Sequence, residues 1–193
     1  MTGISHGSLT HSHATGAAPP LQTTGAPPHD PAWNTALQNA STGAQSPHGP
    51  SGSSPAFRPD LAQHLSGPDG FKGNKLNGTH NQDNAIDQVK GRNGTYSLTP
   101  TGTPGINEMN YEATNPASGK KTKGSKTTYD PAVHSNQQML DMAQKAGAQA
   151  WSKHQADPNQ KTFDVNQNGV NFRAYINNDK AGNPIIGNVH PIK

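Results

Sequence analysis

From Met1 to about Pro68 the chain offers no repeating apolar period that a helix or strand could bury, which confines a folded body to the residues beyond that stretch. The segment is Gly, Ser, Thr, Pro, Ala and His, interrupted by breakers such as Gly25-Ala26-Pro27-Pro28 and Pro50-Ser51-Gly52. Over 193 residues the hydrophobic share is 28%, against about 45–50% in an ordinary globular domain. So little burial cannot offset the conformational entropy of ordering the whole backbone. Residues 1–70 are therefore expected to be a disordered leader or linker, and residues 71–193 the folded domain. Two anchors inside the leader, Pro31–Leu37 and Phe57–Ala62, promise no more than a transient helical turn each. Its six histidines, His6, His11 and His13 among them, read as compositional bias rather than a metal site, because no scaffold fixes them.

The absence of cysteine excludes a disulfide framework, a thiolate zinc site and a cysteine nucleophile. Met1 to Leu21 has no lysine or arginine and no apolar run of secretory-signal type, and no stretch reaches transmembrane length. Export, if it occurs, is expected to depend on something upstream or external. Charge is unevenly spread. Residues 1–70 hold one cation, Arg58, against Asp30, Asp60 and Asp69, so the remaining 14 cations face 9 carboxylates in residues 71–193, a net +5. A compact body of that sign is drawn to phosphate backbones through counterion release.

Within the domain, Ile86 and Val89 followed by Lys90-Gly91 mark a short helix over His80–Gly91. Thr95–Leu98 and Ile106–Tyr111 alternate as half-buried strands around Pro104-Gly105, and Lys126–Tyr129 is a third strand stopped by Asp130-Pro131. Ser135 caps the longest helix, reaching about His154, with Met139, Met142, Ala143, Ala146, Ala150 and Trp151 on one stripe. Thr162–Val165, Val170–Ile176 and Ile185–His190 close the chain as a meander whose turns are Asn166–Gly169 and Asn177–Pro184. The expected fold class is α+β, with helices from the N-terminal side packed on a C-terminal antiparallel sheet.

Metal-free cleavage of RNA needs a base for the ribose 2′-hydroxyl, an acid for the leaving oxygen and a donor for the charge on phosphorus. Histidine suits the first two because its proton moves near neutral pH. His80 comes directly after Asn77-Gly78-Thr79 at a polar approach to a helix, where amides and an imidazole can converge on an anion. His190 ends the last strand and either faces a cleft or merely terminates the sheet. His154 suits the dipole at a helix C-terminus, and His134 reads as surface decoration ahead of a substrate contact. The run Lys120-Lys121-Thr122-Lys123-Gly124-Ser125-Lys126 is either a solvated loop or a phosphate-tracking one, with Lys126 at the strand edge best fixed to meet transition-state charge.

These motifs resemble a known family. Lys126-Thr127-Thr128-Tyr129-Asp130-Pro131, with Ser135–Leu140 after it, is similar to a segment of the C-terminal toxin domains of contact-dependent growth inhibition (CdiA-type) proteins, which include EndoU-like ribonucleases. Gly78-Thr79-His80-Asn81, Pro104–Tyr111, and Gly169–Tyr175 with Gly187–Pro191 agree in order, so the resemblance spans roughly residues 76–193. It implies an EndoU-like (BECR-type) ribonuclease fold, cleavage of RNA, often tRNA, to a cyclic phosphate, no cofactor and no metal. It also implies a monomer without membrane insertion, delivered from the cell surface or secreted, acting in the cytoplasm of a target bacterium and neutralised by a cognate immunity protein. Charge complementarity makes that partner acidic.

Carried over residue by residue, the resemblance makes His80 catalytic, Lys126 charge-stabilising, Thr128 the nearby hydroxyl and Tyr175 the late aromatic. EndoU enzymes use two histidines close together early in the domain, and no histidine lies between His80 and His134. The second proton carrier is therefore expected from His190 or His134, or its role from Arg92 or Thr95. Lys120, Lys121, Lys123, Arg92, His134 and Arg173 are the expected substrate contacts. Two alternatives compete with this reading: a non-catalytic basic module holding nucleic acid or protein, and a toxin nuclease acting on DNA.

Overall fold

The computed structural model describes residues 54–115 and 118–193. The Pro31–Leu37 anchor and residues 1–53 lie outside the described residues. Among the described residues eleven elements run in chain order: α1 (Leu61–Ser66), β1 (Phe71–Lys72), β2 (Lys75–Leu76), α2 (Gln82–Lys90), β3 (Thr95–Pro100), β4 (Ile106–Thr114), β5 (Lys121–Tyr129), α3 (Asn136–Ala156), β6 (Thr162–Gln167), β7 (Val170–Asn178) and β8 (Pro184–Pro191). β1 and β2 form a small ribbon, and β3-β4-β5 and β6-β7-β8 form two separate antiparallel sheets of three strands. The chain is thus mixed α and β, but its helices are not gathered ahead of one closing sheet. α3 sits between the two sheets in sequence and each sheet has its own helix, because each buries a separate apolar face.

The larger core joins Leu61, Ala62 and Leu65 of α1 to Met139, Leu140, Ala143 and Ala146 of α3 and to Phe163, Phe172, Ile176, Ile186 and Val189 of the second sheet. α3 is held at its start by a reciprocal cap in which Ser135 and Gln138 satisfy each other's backbone amides. Its expected apolar stripe is the buried one, with Met139 and Ala150 fully enclosed. The smaller core sets Ala85 and Val89 of α2 against Met109, Tyr111 and Ala113 of β4. Gly124 lies opposite Tyr111, and any Cβ there would meet the Tyr111 hydroxyl at 2.5 Å.

The boundary expected at residue 70 falls inside this folded body. Phe57 pairs with Ile186 as a parallel bridge, the Arg58 amide donates to Ile186 O at 2.9 Å, and Leu61 and Leu65 are buried in the larger core. Phe57–Ala62 is therefore structural rather than transient. Its apolar residues are too sparse to show a period, and they are fixed by β8 and α3, far away in sequence. The basic run is not a free loop either. Lys121–Tyr129 pairs with Ile106–Thr114 over its whole length, so the lysines at 121 and 123 project from a strand. Among the described residues no helix is long and apolar enough to cross a membrane.

Candidate active site

A cleft of about 350 Å³ opens at the seam between the two cores, lined by His64, Leu76, Asn77, Gly78, His80, Ser125, Lys126, Thr127, Asn188 and His190. Each wall has a local cause. Asn77–His80 runs back along the end of α1: the Thr79 amide donates to His64 O at 2.8 Å and the His80 amide to Leu65 O at 2.7 Å. That path needs left-handed backbone at Gly78 (φ +47°) and Thr79 (φ +57°), the latter a rare conformation for a β-branched residue. At Gly78 a Cβ would collide with the Asp69 carboxylate and stand 2.7 Å from His64 O. Thr79 is held by its hydroxyl, which accepts from the Asp69 amide at 2.9 Å and donates to Asn77 O. Just beyond, Asn81 caps α2 through the Asn84 amide and donates to Asn136 Oδ1 at 2.8 Å. The Tyr129 amide donates to His80 O at 2.8 Å, so β5 and α3 both grip the segment carrying His80.

Three imidazoles meet here. His80 is only 5% exposed. Its Nδ1 donates to Thr127 O at 2.8 Å, which leaves Nε2 as the lone-pair nitrogen when the ring is neutral. His64, also buried, donates from Nδ1 to Asp69 Oδ2 at 2.6 Å, so a carboxylate stands behind its ring instead of a carbonyl. The two rings lie edge to face with centroids 6.3 Å apart. His190 stacks on His80 at 4.8 Å and 10°, and Tyr175 stacks on His190 at 5.6 Å. Asn188 Nδ2 stands 3.2 Å from His190 Nδ1, while its own Oδ1 is buried with no hydrogen-bond partner among the described residues.

Desolvation governs the protonation of this cleft. Burial brings the Lys126 ammonium down to about 8, with Asp69 opposing the shift. It holds His80 well below the ordinary imidazole range, aided by the positive charge of Lys126, and takes His190 down to about 4 for the same two reasons. His64 is lowered as well, burial outweighing the favourable Asp69 contact. A site in which burial has drawn four basic groups toward neutrality, without enough carboxylate to restore them, is built to regain charge when an anion enters. Among the described residues no group of three or more His, Asp or Glu side chains is placed to hold a metal ion.

Of the residues expected from sequence, His80, Lys126 and His190 share this cleft, and Tyr175 adjoins it through the His190 ring. Thr128 does not line it. Its side chain is fully buried and its hydroxyl donates to Asn107 O. Alternation puts it on the same face of β5 as Lys126, but two positions further along, where α2 packs on the strand and closes that face to solvent. His134 donates from Nε2 to Pro104 O, and the Arg92 guanidinium lies 4.0 Å over the Phe71 ring, both outside the cleft lining. Thr95 lines a separate trough on the first sheet. Arg173 forms a bidentate pair with Asp164 on the strand beside His190. Lys121 and Lys123 are exposed and pair with Glu112, at 2.8 and 3.5 Å, and Lys120 is exposed just ahead of β5.

The site residue that the sequence conceals is His64. It lies 16 positions before His80, inside the stretch whose composition reads as leader, so a second early histidine is sought only downstream. The usable signal is Asp60-Leu61-Ala62-Gln63-His64-Leu65, whose Leu61 and Leu65 stand four apart on one helical face.

Comparison with known proteins covers the same part of the chain. The family model described as bacterial EndoU nuclease matches residues 63–193. The tRNA nuclease CdiA of Escherichia coli strain STEC_O31 is 35% identical over 148 residues, covering 70% of this chain and 4% of that protein. The tRNA nuclease CdiA of Yersinia mollaretii is 32% identical over 145 residues, 70% of this chain and 5% of that protein. The chain therefore spans about one twentieth of the length of these relatives.

Proposed function

The chain belongs to the bacterial EndoU nuclease family, and from that premise we propose that it is an endoribonuclease toxin that cuts tRNA by metal-independent acid–base chemistry. The observation that carries the mechanism is the unequal backing of two adjacent imidazoles, a carbonyl behind His80 and a carboxylate behind His64. A neutral ring with its lone pair at Nε2 suits the base, so His80 takes the proton of the ribose 2′-hydroxyl. Asp69 opposes the effect of burial on the His64 ring, so that ring is the one to take a proton when the phosphate enters, and His64, once charged, gives its Nε2 proton to the departing 5′-oxygen. The 2′-oxygen attacks phosphorus, the bond to the 5′-oxygen breaks, and a 2′,3′-cyclic phosphate remains. Lys126, charged below about pH 8, meets the negative charge that builds on the non-bridging oxygens.

His190 and Tyr175 complete the wall. With Asn188 donating to its Nδ1, neutral His190 carries its proton on Nε2, available to a ribose or phosphate oxygen. Tyr175 extends the ring stack and offers a surface against which a base can lie. Arg173, Lys120, Lys121 and Lys123 supply phosphate contacts outside the cleft. The excess of cations in residues 71–193 supports an acidic immunity protein as the natural antagonist, and the likeness to the CdiA relatives supports delivery into the cytoplasm of a neighbouring bacterium as the setting. We assign the domain to act as a monomer on RNA, with no membrane-inserted form.

The test is incubation of the full chain with total tRNA in EDTA, with analysis of the fragment ends. Cyclic-phosphate fragments are expected, with turnover reduced about 10²–10⁴-fold in His64→Ala and in His80→Gln. Intact tRNA, a requirement for added magnesium, or equal cutting of DNA would each reject the reading.

A further inference from the structure

The face of the β3-β4-β5 sheet that points away from α2 is covered at its Ile106–Tyr129 end by the larger core and is uncovered beyond it. Register places Ser97, Asn110 and Ser125 side by side across the three strands, with Thr95, Glu112 and Lys123 as the next row. Ser97, Asn110 and Ser125 are all exposed, and among the described residues their side chains have no hydrogen-bond partner. These two rows line a shallow trough of about 640 Å³. Ser125 lines both this trough and the cleft that holds His80, so the two meet at that residue.

We propose that this sheet face is an extended binding track for the RNA strand as it leaves the cleft, with the Ser97-Asn110-Ser125 row taking its phosphate and ribose oxygens. The proposal rests on the ribonuclease reading and adds to it where the rest of the substrate lies. The occupant is chosen by chemistry. Hydroxyl, amide and ammonium groups are the usual partners of phosphate and sugar, whereas the core of a protein partner's footprint is rich in aromatic and aliphatic side chains; the two tyrosines that also border the trough belong to the α2 face, Tyr111 in the smaller core and Tyr96 beneath Lys90. The carboxylates on the face do not oppose a polyanion, because Glu112 is neutralised by Lys121 and Lys123 and Glu108 by Lys193. Three strands at about 4.8 Å spacing make the row about 10 Å wide, enough to follow a strand of RNA beyond the reacting nucleotide. Contacts of this kind carry no base code, so the track raises affinity for long RNA without setting where it is cut.

The experiment compares two substrates of one enzyme: total tRNA, and a pool of tetranucleotides too short to leave the cleft. The variant is the full chain with Ser97→Asp and Asn110→Asp, two exposed positions where a carboxylate repels phosphate. The ratio of kcat/KM for tRNA to kcat/KM for the tetranucleotides is expected to fall about tenfold relative to wild type, with unchanged thermal melting. An unchanged ratio overturns the track. Equal loss on both substrates also overturns it, since it would mean that the substitutions act on the fold or on the cleft. If the wild-type chain cuts neither substrate, the ribonuclease reading itself fails, and the track falls with it.

Discussion

His80 holds more of the fold than a surface histidine would. Its amide, carbonyl and Nδ1 are all bonded, to Leu65, Tyr129 and Thr127, and its ring is covered by His190. Removing it by His80→Ala therefore strands the Thr127 carbonyl and opens a void, so loss of killing by that variant would mix chemistry with stability; a polar near-isostere separates the two. Protonation adds a second expectation. His80 and His190 are depressed in the folded state below the unfolded value of 6.5, His190 to about 4, so the native state binds fewer protons than the unfolded chain across that window. Stability is fully present above pH 6.5 and should be lost progressively as pH falls toward 4, a trend that thermal melts across the range would show and a flat profile would contradict. Lys126 behaves in the opposite window. Its ordinary 10.5 drops to about 8, so the penalty of burying the charge is complete below pH 8 and relieved above it. Lys126→Met should stabilise the domain at pH 7 by about 1–3 kcal/mol while abolishing turnover, which melting curves and tRNA assays on one preparation would check.

At the scale of elements, α3 is the one whose start is most explicitly specified. Ser135→Ala removes the hydroxyl that accepts from the Gln138 amide at 3.2 Å and should cost about 1 kcal/mol in denaturant unfolding, with cleavage unchanged because the cap lies outside the cleft lining. The same cap is legible in the sequence, as are α2 and the strands around Pro104-Gly105, because each rests on local signals: a cap, a stop, an alternation. α1 and the Phe57 bridge are not legible. Their residues are few and are fixed by β8 and α3, far along the chain, and a six-residue helix supplies barely two turns of pattern. That loss propagates into the site. A strand and a helix approach announce Lys126 and His80, whereas the low-complexity texture around His64 hides it. Thr128 misleads for a different reason: its spacing from Lys126 is right for a shared face, and only the tertiary position of α2 buries it.

For the whole molecule, the folded body must include residues before 71. A fragment beginning at residue 71 lacks Leu61, Ala62 and Leu65, all buried in the larger core, and lacks His64. Each large aliphatic side chain contributes about 1.5–3 kcal/mol, against a typical net stability of about 5–15 kcal/mol. Circular dichroism should find that fragment largely unfolded or strongly destabilised, and inactive on tRNA, while residues 54–193 melt cooperatively and cut. A shorter fragment with wild-type melting and activity would contradict this division.

The Ala56–Arg58 latch on Ile186 gives the molecule a directional weakness. Pulling this segment away from β8 breaks that pair of backbone bonds first and loads α1 next. The proposed acid, His64, would leave with α1 and take the Leu65 carbonyl from the His80 amide, while His80 kept its two bonds to β5 and Lys126 stayed on that strand. On the proposed mechanism, a domain with this segment undocked lacks its acid and regains it when a turn and a half of helix packs back.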